Sequence, residues 1–237
     1  MRARPGYFPR PNAPYCAILI AAMAVLPRIF PHALLPFSHA EPSLMGMPDS
    51  AGHGTRDARR WTREAVHALP DDGNRYELIN GELVVTPAPR GLHQAALMAL
   101  YNELRPFVES LNLGRVLVSP ADITLGEDEI LQPDLFVFRT VAGKHFRDWT
   151  DIASLLLVVE VLSPSTAHYD RYLKRLRYQR AEVPEYWIVD LDGRVVERWR
   201  PGDTRPEVLA AELRWEPKAD TRFVLNLPAY FKQVWGE

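Results

Sequence analysis

Leu155-Leu156-Leu157-Val158-Val159-Glu160-Val161 decides how this chain folds. The run is apolar on both faces, so the period-2 alternation of a half-exposed strand is missing. A strand of that kind belongs in the middle of a sheet, covered by helices on both sides. One residue breaks the pattern. Glu160 places a carboxylate at the end of the most apolar strand in the chain, where a charge costs several kcal/mol unless it is paired or bound to metal.

Working outward, Ser163-Pro164-Ser165-Thr166 closes the strand, and Ala167 to Ala181 has helical spacing. Tyr169, Tyr172, Leu173 and Leu176 are its expected apolar stripe, with Arg171, Lys174 and Tyr178 on the opposite, polar side. Glu185 to Asp190 reads as a further strand, Asp192-Gly193 as a turn and Arg194 to Trp199 as its partner. The tail holds one or two more strands and a short helix near Pro228.

Upstream, Leu131 to Phe138, Ala121 to Leu125 and Arg115 to Val118 read as strands. Gly91 to Leu111 has the apolar spacing of a helix that Pro106 bends. Asn80-Gly81, between Arg75–Ile79 and Glu82–Thr86, is a strong hairpin signal, because a type I′ turn needs positive φ at both central residues. Thr62 suits the N-cap of a short helix before it. The order is a hairpin, a helix, strands, a helix and strands: an α/β fold whose mixed β-sheet is flanked by helices, with an N-terminal hairpin.

The whole chain has 237 residues, 47% of them apolar, a net charge of −2 and one cysteine. That composition excludes wholesale disorder, collagen and coiled coil, and Cys16 alone excludes a disulfide scaffold. Residues 1–47 form a separate stretch, Pro-rich and without a core-forming period. They read as a disordered or non-native extension, with Met45 or Met47 as the start and the domain spanning 48–237. A secretory signal is the alternative, from Arg2, Arg4 and Arg10, the apolar run Ala17 to Leu26, and Ser38-His39-Ala40. Pro27, Pro31 and Pro36 separate that run from the cleavage site, which argues against it. This stretch holds four arginines and one acid, leaving 24 basic and 29 acidic residues, a net of −5, for the remainder.

Asp134 is the second acid of interest, following Pro133 at the opening of Leu135-Phe136-Val137-Phe138. A turn aspartate before a strand is the ordinary reading of it, as a strand-end ion pair is of Glu160. Together, two carboxylates on neighbouring strands suit a hard cation. Mg²⁺ needs only one or two of them because it keeps several waters, and the Val161 carbonyl offers a third oxygen. Lys174 follows on the next helix with Arg171, Arg175, Arg177 and Arg180, a basic strip where a phosphate backbone could dock or simply a solvated face. His93 is a weaker ligand or phosphate contact. There is no P-loop, G-x-G-x-x-G, G-x-S-x-G or zinc-spaced histidine pair.

Four strings in order resemble a known family: Arg75-Tyr76-Glu77-Leu78-Ile79-Asn80-Gly81-Glu82-Leu83; Gln132-Pro133-Asp134-Leu135; Val159-Glu160-Val161-Leu162-Ser163-Pro164-Ser165-Thr166; and Tyr178 followed by Val183-Pro184-Glu185-Tyr186-Trp187. From about Trp61 to Trp199 the chain is similar to the Uma-type restriction endonucleases of the PD-(D/E)xK nuclease superfamily. The resemblance implies a restriction-endonuclease-like fold and a cytoplasmic, Mg²⁺-dependent endonuclease, with Mn²⁺ as a substitute. Its partner would be nucleic acid, DNA before RNA, without stable membrane association and with a homodimer as an option. Asp134 stands where the family has the aspartate of its PD, and Glu160 where it has the second acid. Leu162 stands where the superfamily lysine is expected, and Lys174 matches the helix position this family uses instead. Glu77 looks like an accessory acid, and Asp122 and Tyr178 are weaker candidates. The resemblance implies metal ligation by Asp134, Glu160 and Val161, and products with a 5′-phosphate and a 3′-hydroxyl. The rival is a fold relative that binds without catalysing.

Overall fold

The computed structural model describes residues 60–237; the reading of residues 1–47 and the boundary at 48 lie outside them. A six-stranded mixed sheet organises this part of the chain. Its strands are β3 (Arg115–Val118), β4 (Leu135–Thr140), β5 (Ile152–Val161), β6 (Tyr186–Asp190), β7 (Val195–Trp199) and β8 (Glu207–Leu209), side by side in that order. The β5–β6 pair is parallel and the others are antiparallel. The apolar run of β5 is therefore interior, as its two-faced pattern requires, with Leu157, Val158 and Val159 fully buried.

One face of the sheet packs on α2 (Gly91–Ser110), α4 (Leu227–Trp235) and the separate hairpin β9 (Glu212–Trp215) and β10 (Phe223–Asn226). α2 buries Ala96, Leu97, Leu100, Leu104 and Val108, and it continues through Pro106 unbroken. The tail thus holds three strands, one more than its pattern suggested. The other face buries Phe136, Phe138, Val158 and Ile188 against Tyr178 and Val183, at the end of the helix that follows β5. Fully burying a side chain of this size stabilises the fold by about 1.5–3 kcal/mol.

The first hairpin pairs β1 (Arg75–Ile79) with β2 (Glu82–Thr86). Asn80 and Gly81 have φ of 58° and 78°, the two positive values of a type I′ turn. Ahead of it, Thr62 caps the short α1 (Arg63–His67) by accepting the Ala65 N–H. Leu78 exchanges both backbone hydrogen bonds with Ile130, which fixes the hairpin to the segment before β4.

Two strand assignments are corrected. Ala121 to Leu125 makes only an isolated bridge, Ile123 to Leu131, and the strand read from Leu131 begins at Leu135. Both stretches have apolar residues buried under the hairpin, so burial without pairing produced the strand-like pattern. No helix among the described residues is long and apolar enough to cross a membrane.

Candidate active site

Asp134 and Glu160 meet because of strand register. Leu135 pairs with Val159 across β4 and β5, so the next position outward sets Asp134 opposite Glu160 on one face. Both are 2% exposed. Asp134 Oδ2 accepts the Val161 backbone N–H at 2.8 Å, which ties the two strand ends together. With Arg75, Glu77, His93 and Lys174 they line a cavity of about 670 Å³.

Lys174 is not on an exposed polar face. It is 2% exposed, its ammonium 3.0 Å from Glu77 Oε2, 3.2 Å from Glu160 Oε1 and 3.3 Å from Asp170 Oδ1. The helix after β5 explains the reversal. Its first part, Tyr169–Lys174, is π-helical, and α3 (Arg175–Arg180) continues it. Asp170, Lys174 and Tyr178 share the buried face, whereas Tyr172 and Leu176, assigned to the apolar stripe, are 56% and 39% exposed. Among the described residues, the fully buried Tyr178 hydroxyl has no hydrogen-bond partner.

The basic strip is corrected with it. Arg171 is held by Asp190 and Glu197, Arg175 lies over the Trp199 ring, and Arg177 pairs with Glu129. Arg171 and Arg175 brace the helix against the sheet and Arg177 against the segment before β4, so these three are engaged within the fold, while Arg180 is exposed.

Strand alternation points Arg75 and Glu77 from β1 into the cavity together. The Glu77 Oε1 atom accepts the Gln132 backbone N–H at 2.8 Å, and the Gln132 amide donates to Asp122 Oδ1 at 2.8 Å. Asp122 therefore supports Gln132 and lies outside the acid cluster. Arg75 Nη1 donates to Asp134 Oδ1 at 2.7 Å, and His93 Nε2 donates to Asp134 Oδ2 at 3.0 Å. Arg75 and Asp170 were missed in the sequence. The alternation with Glu77 would have flagged the first, and the four-residue spacing to Lys174 the second.

The electrostatics separate the two principal acids. Burial alone would raise Asp134, but His93 and the Arg75 guanidinium outweigh it and hold the carboxyl well below the usual carboxylate range. For Glu160 burial wins, and its carboxyl is pushed well above that range against the pull of Lys174. Burial raises Asp170 as well. Lys174 would be discharged by burial alone, yet Glu160, Glu77 and Asp170 hold its proton well above the ordinary lysine value.

Among the described residues, no three Asp, Glu, His or Cys side chains converge as a ready-made metal ligand set. The donor chemistry nonetheless suits a hard divalent cation. Among the described residues, the four buried carboxyl groups Glu77, Asp134, Glu160 and Asp170 are paired with two obligate cations, Arg75 and Lys174. Carboxyl oxygen donors of this kind are what Mg²⁺ or Mn²⁺ requires.

Residues 63–227 match the family model Uma2, described as "Putative restriction endonuclease". No curated protein matches the chain. A crystal structure from Anabaena variabilis ATCC 29413, described as "a putative nuclease belonging to DUF820", is similar with a TM-score of 0.59 and 20% identity, covering 73% of this chain and 98% of that one. At that identity the likeness concerns the fold.

Proposed function

We propose that this chain, which belongs to the Uma2 restriction-endonuclease family, is a divalent-metal-dependent endonuclease that hydrolyses phosphodiester bonds of nucleic acid, with DNA as its substrate. The observation that carries this reading is Asp134 set opposite Glu160 at a cavity wall, with the Lys174 ammonium 3.2 Å from Glu160. Asp134, Glu160 and the Val161 carbonyl would hold Mg²⁺ or Mn²⁺. That cation would neutralise phosphate charge and make a water acidic enough to attack near neutral pH.

The remaining work belongs to the chain itself. Lys174 keeps its proton among three carboxylates, so it acts as a fixed cation beside the reacting phosphate rather than as the base that takes a proton from water. Glu77 and Asp170 hold that ammonium in place. Glu77 also fixes the Gln132 backbone beside Asp134. His93 and the Val161 N–H orient Asp134 through Oδ2. Breaking the P–O bond leaves a 5′-phosphate and a 3′-hydroxyl, the outcome the family resemblance implies.

The test is a cleavage panel of single- and double-stranded DNA and RNA with Mg²⁺ and Mn²⁺. Cleavage that fails in Asp134→Asn and Glu160→Gln supports the reading, and full cleavage by either variant refutes it. The rival, a non-catalytic binding module, draws on the ion pairs that engage both acids. It predicts no Mg²⁺ or Mn²⁺ binding by calorimetry and no cleavage of any substrate.

A further inference from the structure

The two oxygens of Asp134 are in different situations. Oδ2 accepts from both His93 Nε2, at 3.0 Å, and the Val161 N–H, at 2.8 Å. Two donors fill the lone pairs of that oxygen. Among the described residues, Oδ1 accepts only from Arg75 Nη1, at 2.7 Å. Any cation that Asp134 takes up from the cavity is therefore bound through Oδ1, the atom Arg75 holds.

Arg75 is also placed to let go without leaving. Its side chain is 18% exposed and lines the cavity. Nη2 donates to the Gln132 carbonyl, and Nε lies 3.4 Å from Gln132 Oε1. These contacts use three of the five guanidinium N–H groups, and two of the three are to Gln132 rather than to Asp134. A planar guanidinium anchored on one side is suited to a phosphate oxygen pair on the other.

We propose that Arg75 is an exchangeable counter-ion. It holds Asp134 Oδ1 when the cavity is empty and passes to a phosphate of the bound nucleic acid, so that substrate binding opens Asp134 to the divalent cation. The inference rests on the metal-dependent reading above and adds a coupling to it. Substrate and cation must then raise each other's affinity by the same factor. No covalent step is involved.

The experiment is calorimetric titration of the full chain with Mn²⁺, without substrate. Removing a full positive charge in contact with the ligand oxygen should tighten Mn²⁺ binding in Arg75→Gln by about tenfold or more over the wild type. Arg75→Lys keeps the charge and should bind like the wild type. Asp134→Asn should lose binding, and adding Arg75→Gln to it should recover none, because the gain passes through Asp134. In cleavage assays Arg75→Gln should need less Mn²⁺ for half-maximal rate while its KM for nucleic acid rises. If Arg75→Gln does not fold, Arg75→Met, which keeps the apolar stem, carries the same expectation.

Equal Mn²⁺ affinity in wild type and Arg75→Gln, with binding lost in Asp134→Asn, overturns the counter-ion role and leaves the metal reading intact. Tightening in Arg75→Lys equal to that in Arg75→Gln overturns it as well. Absence of Mn²⁺ binding in both wild type and Arg75→Gln refutes the metal reading, and the counter-ion role with it.

Discussion

Replacing Lys174 by methionine tests the centre of the acid cluster. The substitution keeps the stem's volume and removes a charge that touches Glu77, Glu160 and Asp170 at 3.0, 3.2 and 3.3 Å. All four groups are at most 2% exposed, so bulk water compensates poorly for the lost ammonium. Removing one partner from a buried ion pair typically costs about 3–5 kcal/mol. For a domain of this size each kcal/mol moves Tm by about 2–4 °C, so melting should fall by about 6–20 °C near neutral pH. A solvated surface lysine would give almost no change. The pH dependence sharpens the test. Burial raises the folded pKa values of Glu160 and Asp170 above the usual carboxylate range. A raised carboxyl contributes stability as its protonated form, present below the unfolded pKa and lost as pH rises through the folded one. Without Lys174 both rise further, so the deficit against the wild type should be small near pH 4 and grow towards pH 8. Urea denaturation of both proteins at pH 5 and pH 8 measures it. A deficit that is absent at pH 8, or larger at pH 5 than at pH 8, refutes the caged-lysine account.

The same variant should lower turnover by about 10²-fold or more, read in single-turnover cleavage at a temperature where it remains folded. Leu162→Lys in a Lys174→Ala background should restore part of that turnover, because residue 162 lines the same cavity; rescue is scored by rate at saturating metal. Asp134→Asn and Glu160→Gln should both abolish cleavage yet differ in stability. The first should melt lower, since this carboxylate is stabilised in the fold, and the second at or above the wild type, since burial opposes the Glu160 charge. Gly114→Ala should destabilise the edge of the sheet by about 2–4 kcal/mol without altering metal binding, because its Cβ would overlap the Phe138 carbonyl oxygen; urea unfolding and Mn²⁺ titration separate the two effects.

The two-faced apolarity of β5 identified the interior strand, and the register of β4 against β5 made Asp134 and Glu160 neighbours, because each lies one step beyond a run that must pair. Those features are local and periodic, so sequence carries them. The helix after β5 was read at 3.6 residues per turn, and that period put Lys174 outside. The π-helical stretch Tyr169–Lys174 has a longer turn, which a hydrophobic stripe does not reveal. The partners of Arg171, Arg175 and Arg177 come from β6, β7 and the segment before β4, distant in the chain and invisible to local charge counting.

The misread helix also shows how this site is assembled. Its four carboxylates arrive from β1, the start of β4, the end of β5 and the π-helical turn, and each element is fixed by contacts outside the cavity. Leu78 and Ile130 fasten the hairpin, the sheet holds β4 and β5, and the Arg171 and Arg177 ion pairs brace the helix. Glu77 and Glu160 are therefore held close together by the scaffold whether or not their charges are compensated. The resulting repulsion is relieved by cations paired with the acids, and among the described residues Lys174 and Arg75 are the two obligate ones. The Lys174 ammonium is held by three of these acids at once and is locked. Arg75 has Gln132 as a second anchor and one cavity-facing side, so of the two it is the cation that can be exchanged.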